Sequence, residues 1–141
     1  MSHKIQTEWK GKMAFNSKVI GGEVNLDADD IVGGEGKGVR PKALMLSSLS
    51  GCTGMDVTSL MKKMRTDESV SKFTIDVEGS LTEEHPKFYD KVHVTYTFGG
   101  KEMNQTKLEK AVTLSVERYC GVYEMFRQFA KVTHEIIFIE E

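Results

Sequence analysis

The chain of 141 residues predicts a single α+β domain spanning residues 1–141, and three stretches carry that expectation. Pro41 to Arg65 is long, almost uncharged and apolar at helical spacing. Phe73, Ile75 and Val77, then Val92, Val94, Tyr96 and Phe98, alternate with a period of two. Leu108 to Phe129 returns to helical stripes before a β-branched end. The resulting order is β-β-α-β-β-α-α-β, a packed sheet with a buried helix.

Residues 3–28 alternate as strands through Ile5, Thr7 and Trp9, then Val24 and Leu26 after the Gly21-Gly22 turn. Interspersed lysines and Asn16 predict a solvated face or a sheet edge. Residues 29–40, DDIVGGEGKGVR, form a glycine-rich loop. It lacks the Lys-Ser/Thr ending of a phosphate-binding loop and has no apolar strand leading into it, so it predicts a mobile connection, not a nucleotide cradle. Pro41 suits the first turn of a helix, where its missing N–H has no partner to lose. In that helix Leu46, Leu49, Thr53, Val57, Leu60 and Met64 recur at helical spacing, and Asp56 is the only charge between Ala43 and Met61. A helix apolar nearly all round belongs inside a core or between subunits. Its serines, threonines, glycines and Asp56 argue against a membrane span.

The two alternating strands beyond Arg65 predict an antiparallel pair joined by the polar stretch around Glu83, Glu84, His85 and Pro86, with Gly99-Gly100 ending the second. Thr106 and Glu109 have the spacing of a capping box, ahead of the stripe Leu108, Ala111, Val112, Ser115 and Tyr119. Cys120-Gly121 interrupts that stripe. Val122, Met125, Phe126 and Phe129 open another, and Val132 to Ile139 closes the chain as a strand.

A net charge of −2 gives no general attraction to nucleic acid or to an anionic membrane. The polar start, MSHKIQTEWKGK, has no apolar signal region, and two distant cysteines fit a reducing compartment; both point to the cytoplasm. His3, His85, His93 and His134 lack the paired spacing of a metal site, so neither metal nor cofactor is expected.

The chemistry rests on sulfur, whose thiolate is a soft nucleophile. A free cysteine is also a small core hydrophobe, and that reading stands beside the reactive one. Cys52 sits among Ser50, Gly51, Thr53 and Gly54, small residues that leave room beside it. Glycine inside a helix costs about 1 kcal/mol relative to alanine, which calls for a close-approach explanation. Cys120 precedes a predicted helix at Gly121, where free N–H groups would favour a thiolate. Spacing does not say whether the sulfurs meet.

RPKALMLSSLSGCTGMDV, followed by LSVERYCGVYEM, resembles the OsmC/Ohr family of thiol-dependent hydroperoxide reductases. EEHPKFYDKVHVTYTF resembles the paired strands of its OsmC-like branch. The resemblance runs from about residue 39 onward. It implies an OsmC-like fold, with an antiparallel sheet wrapped around a long buried central helix in an intertwined homodimer. It also implies a peroxidatic Cys52, a resolving Cys120, a small hydrophobic hydroperoxide as substrate and an external dithiol as reductant, with no cofactor, nucleic acid or membrane. Leu46, Leu49, Met55, Met125, Phe126 and Phe129 are candidates for an apolar pocket, or simply core.

The family's peroxidases carry a glutamate at the start of the central helix, where this chain has Lys42. Their thiolate-holding arginine comes from the N-terminal strands, yet residues 1–39 contain none. Arg40 is a candidate for that role or a solvated cap-region charge; Lys10, Lys12 and Lys18 are point-charge alternatives that lack a bidentate fork. Asp56, one turn after Cys52, is expected to tie down basic or backbone groups across a dimer. A dimer that binds or senses a small hydrophobic molecule without efficient turnover is the alternative function.

Overall fold

A computed structural model describes all residues, Met1–Glu141. The backbone gathers into two compact units, Met1–Met45 and Leu46–Glu141.

In the first unit three antiparallel strands form a meander: β1 (Gln6–Gly11), β2 (Ala14–Val19) and β3 (Gly22–Leu26). Phe15 of β2 faces Trp9 on one side and Leu26 on the other. The sequence reading anticipated strands at both ends of this stretch and missed β2. The glycine-rich segment after β3 is not a loose connection. The buried Asp27 carboxylate accepts N–H bonds from Ala28 at 2.8 Å and from Glu35 and Lys37 at 3.0 Å. The Glu35 and Lys37 bonds hold its carboxyl below the usual range. A Cβ at Gly34 would sit 1.7 Å from the Ala28 carbonyl oxygen, so glycine there is a close-approach requirement.

Helix α1 (Pro41–Lys63) begins at the proline, as expected. In the second unit it buries Leu49, Thr53, Val57 and Met61, one face at spacings of four. It is not covered all round: Met55 is 74% exposed. The unit's sheet has the order β4–β5–β6, from Val70–Leu81, Tyr89–Gly100 and Lys131–Glu140. β4 and β5 pair antiparallel, as the alternation predicted, whereas β6 joins β5 in parallel, making the sheet mixed. β5 is central and carries the core: Val92, Val94, Tyr96 and Phe98 are all buried. Phe98 stacks on Phe73 of β4 at 4.5 Å between centroids and on Phe138 of β6 at 5.7 Å.

Helix α2 (Gln105–Leu114) buries Leu108, Ala111 and Val112. Its cap is Asn104, whose side chain accepts from the Lys107 N–H at 3.1 Å, and not the anticipated Thr106–Glu109 box. A single π turn (Ser115–Tyr119) then leads to Cys120 and to helix α3 (Gly121–Arg127). No helix is long and apolar enough to cross a membrane.

Candidate thiol site

Cys52 lies on α1 and is half-buried; Cys120 caps α3 and is buried, at 4% exposure. The fold brings them to one core: Cys52 packs against the cluster that contains Cys120 and acts on it electrostatically. Both are free thiols. The π turn delivers Cys120 to this position. Widening the helix by one residue lets the Cys120 N–H bond the Ser115 carbonyl five residues back, at 2.8 Å, before the chain breaks into α3.

At the start of α3 the Cys120 sulfur accepts the Tyr123 N–H at 3.3 Å. That bond favours the thiolate, as the sequence reading anticipated for a helix N-terminus. Burial outweighs it, and the Cys52 thiol and the Asp56 carboxylate push the same way, so the Cys120 pKa rises to about 12. Cys120 is therefore a protonated thiol at neutral pH. Helix position alone misjudged this group because it ignored desolvation.

Beside the sulfurs runs a chain of polar side chains. The Ser115 hydroxyl donates to Asp56 Oδ2 at 3.0 Å, and Thr53 Oγ1 lies 2.7 Å from Ser115 Oγ and 2.8 Å from the Tyr96 hydroxyl. A carboxylate only accepts, and each hydroxyl has one proton. The direction is thereby fixed: Tyr96 donates to Thr53, Thr53 to Ser115, and Ser115 to Asp56. Burial also raises the Tyr96 phenol above its ordinary pKa. Asp56 thus engages Ser115 within its own chain. The sequence reading missed the connection because Thr53 and Ser115 each looked like members of an apolar stripe.

A cleft of about 330 Å³ at Cys120 is lined by Arg118, Arg127, Glu117 and Glu124 among others. Arg127 lies over the Tyr123 ring, 4.8 Å from its centroid, and Arg118 over Tyr119 at 5.9 Å. These arginines flank the second cysteine, whereas the cations expected from the sequence, Arg40 and the N-terminal lysines, lie before residue 41. Arg40, in the first unit, donates from Nη1 to the Gly38 carbonyl at 3.2 Å and acts electrostatically on Asp27 and Asp29. Lys12 pairs with Glu35 at 3.0 Å, and Lys10 pairs with Glu8.

The proposed pocket-lining residues do not behave as one group. Leu49 and Phe126 are fully buried core and Leu46 packs against that core, whereas Met55 and Met125 face solvent and Phe129 is part-exposed. The small residues near Cys52 border a groove of about 390 Å³ lined by Ser50, Gly51, Gly54, Met55, Thr58, Phe73 and Ile75, but not by Cys52 itself. Gly54 does mark a close approach, since a Cβ there would lie 3.0 Å from Ile75 Cδ1; Gly51 has open space. His93 bonds Thr133 Oγ1 at 2.7 Å and Glu135 Oε1 at 3.0 Å, away from the sulfurs in sequence and strand face.

The OsmC profile, described as OsmC-like protein, matches residues 34–135. Protein YhfA of Escherichia coli is 29% identical over 102 residues, covering 70% of this chain and 72% of YhfA. A hypothetical protein from Aquifex aeolicus VF5 superposes with a TM-score of 0.80 at 29% identity, covering 98% of both chains. An organic hydroperoxide resistance protein OsmC from Legionella pneumophila superposes with a TM-score of 0.67 at 17% identity, covering 97% of both; that likeness is one of fold.

Proposed function

Because the chain belongs to the OsmC-like family, we propose that it reduces organic hydroperoxides with Cys52 as the peroxidatic thiol and Cys120 as the resolving thiol. The observation that carries this reading is the pairing of a half-buried thiol with a buried one on the same core, close enough to act on it electrostatically. The more exposed member meets the oxidant; the buried, protonated member waits for the product. The Cys52 thiolate attacks the O–O bond, takes one oxygen to become a sulfenic acid, and the departing alkoxide leaves as the alcohol after gaining a proton. The Cys120 sulfur then attacks Cys52 Sγ. The sulfenic hydroxyl leaves with the Cys120 proton as water, and a disulfide remains. An external dithiol, itself oxidised to a disulfide, restores both thiols. No cofactor enters these steps.

In this reading the protein is a cytoplasmic homodimer acting in oxidative-stress defence, 1–141 work as one domain, and the substrate is small and hydrophobic. The exposed Met55 and the groove beside it support a partner copy on α1. Arg40, Arg118 and Arg127 are the cations assigned for testing as the charge that activates Cys52 or polarises the peroxide.

Two observations favour the binding or sensing alternative: Lys42 stands where the family's peroxidases have glutamate, and the lysines at 10 and 12 are already engaged by Glu8 and Glu35. Peroxide loss in the presence of dithiol separates the two readings. Reduced protein is expected to consume cumene or tert-butyl hydroperoxide. Cys52→Ser should consume none, and Cys120→Ser should stall after one turnover and over-oxidise. A wild type as inert as Cys52→Ser across several hydroperoxides overturns the enzymatic reading.

A further inference from the structure

Thr53 and Ser115 have no part in the chemistry just described, yet both are fully buried and bonded to each other at 2.7 Å. A buried hydroxyl contributes nothing that a similar apolar group would not, unless its bonds are needed. Their chain positions show what the bond joins. Thr53 follows Cys52 directly on α1, and the Ser115 carbonyl accepts the Cys120 N–H at 2.8 Å. The Thr53–Ser115 bond is therefore a brace between the two backbone segments that carry the sulfurs. Its ends are held in turn, by Asp56 on the Ser115 side and by Tyr96 of β5 on the Thr53 side.

We propose that Thr53 and Ser115 are positioning residues whose hydrogen bond, anchored by Asp56 and Tyr96, fixes the separation of Cys52 and Cys120 so that they close to a disulfide. The demand is strict, because a disulfide tolerates Cβ separations only within about 1 Å and stores strain outside that range. A packing contact alone permits the helix and the π turn to slide. A directional chain ending on a carboxylate does not, since each hydroxyl has one acceptor to satisfy. The inference rests on the thiol-pair reading but not on peroxide as the oxidant. It concerns the equilibrium between dithiol and disulfide, in which two thiols lose two electrons and two protons to an external disulfide.

The test is equilibration of the full-length protein in glutathione or dithiothreitol redox buffers, with the oxidised fraction read by thiol alkylation and mass. Thr53→Val and Ser115→Ala are expected to lower the disulfide-forming constant by about tenfold, about 30 mV for this two-electron couple. Thr53→Ser, which keeps the hydroxyl, restores it. Tyr96→Phe, which keeps the ring and frees one end of the chain, gives a smaller shift in the same direction and serves if the first two do not fold. Folded Thr53→Val with the wild-type constant, or Thr53→Ser as impaired as Thr53→Val, overturns the proposal. A wild type that forms no Cys52–Cys120 disulfide in any buffer overturns it too. A wild type that forms the disulfide but consumes no hydroperoxide refutes the peroxidase reading and leaves the brace standing.

Discussion

Cys120 holds its proton because it is buried, and that makes a titration prediction. Its pKa of about 12 stands above the ordinary thiol value of 9.0, and burial, the largest cause, survives in a Cys52→Ser background that removes the Cys52 contribution, so alkylation of Cys120 there should be slow at neutral pH and accelerate through the alkaline range above pH 9. Stability follows the same sign. The folded state keeps the proton where the unfolded chain loses it, so the contribution is whole below pH 9 and drains away as pH rises through 12. Within that window one such group costs at most about 1.4 kcal/mol per pH unit, and Cys120→Ser should flatten the alkaline fall in denaturant midpoints by one proton's worth. His134 works in the opposite direction: it is exposed, but partial desolvation of its ring and the neighbouring His93 lower its pKa, so its contribution is small, present above the ordinary histidine value and lost as pH falls. Both cysteines were legible in the sequence from their flanking residues. Thr53, Ser115 and Tyr96 were not, because hydroxyls at apolar-stripe positions carry no motif. The one available signal was that two polar residues interrupted two core faces at once.

Elements were legible where their pattern was long. α1, β4, β5 and the closing strand follow the predicted periodicities because burial enforces them. β2 was hidden because the left-handed turn before it has only one glycine, Gly11 at φ 104°, and continues through Lys12 at φ 49°, a residue that announces no turn; the Trp9 indole N–H donates to the Lys12 carbonyl at 2.8 Å. The parallel pairing of β6 is a tertiary choice no local pattern encodes. At α2 the structure moves the cap from Thr106 to Asn104, and the two are separable by mutation. Asn104→Ala should cost about 1 kcal/mol in urea unfolding, whereas Thr106→Ala should stay within about 0.5 kcal/mol. A larger loss at Thr106 than at Asn104 would restore the capping-box reading.

The chain as a whole leaves α1 with an apolar face that its own second unit does not cover, Met55 being 74% exposed beside a groove that includes Phe73 and Ile75. The proposed homodimer gives that face an occupant. Met55→Arg should then shift light-scattering mass from dimer to monomer, and an unchanged mass would place any self-association elsewhere. The sequence reading of a helix wanting cover on nearly every side was half met inside the chain. Which copy or partner supplies the rest is not encoded in one chain's periodicity. The measurement nearest the central claim is the intact mass of reduced protein after one equivalent of cumene hydroperoxide without added dithiol. The account predicts a loss of two hydrogens and a single cross-linked Cys52–Cys120 peptide. An unmodified chain, or oxygen retained on Cys52 with Cys120 still free, would contradict it.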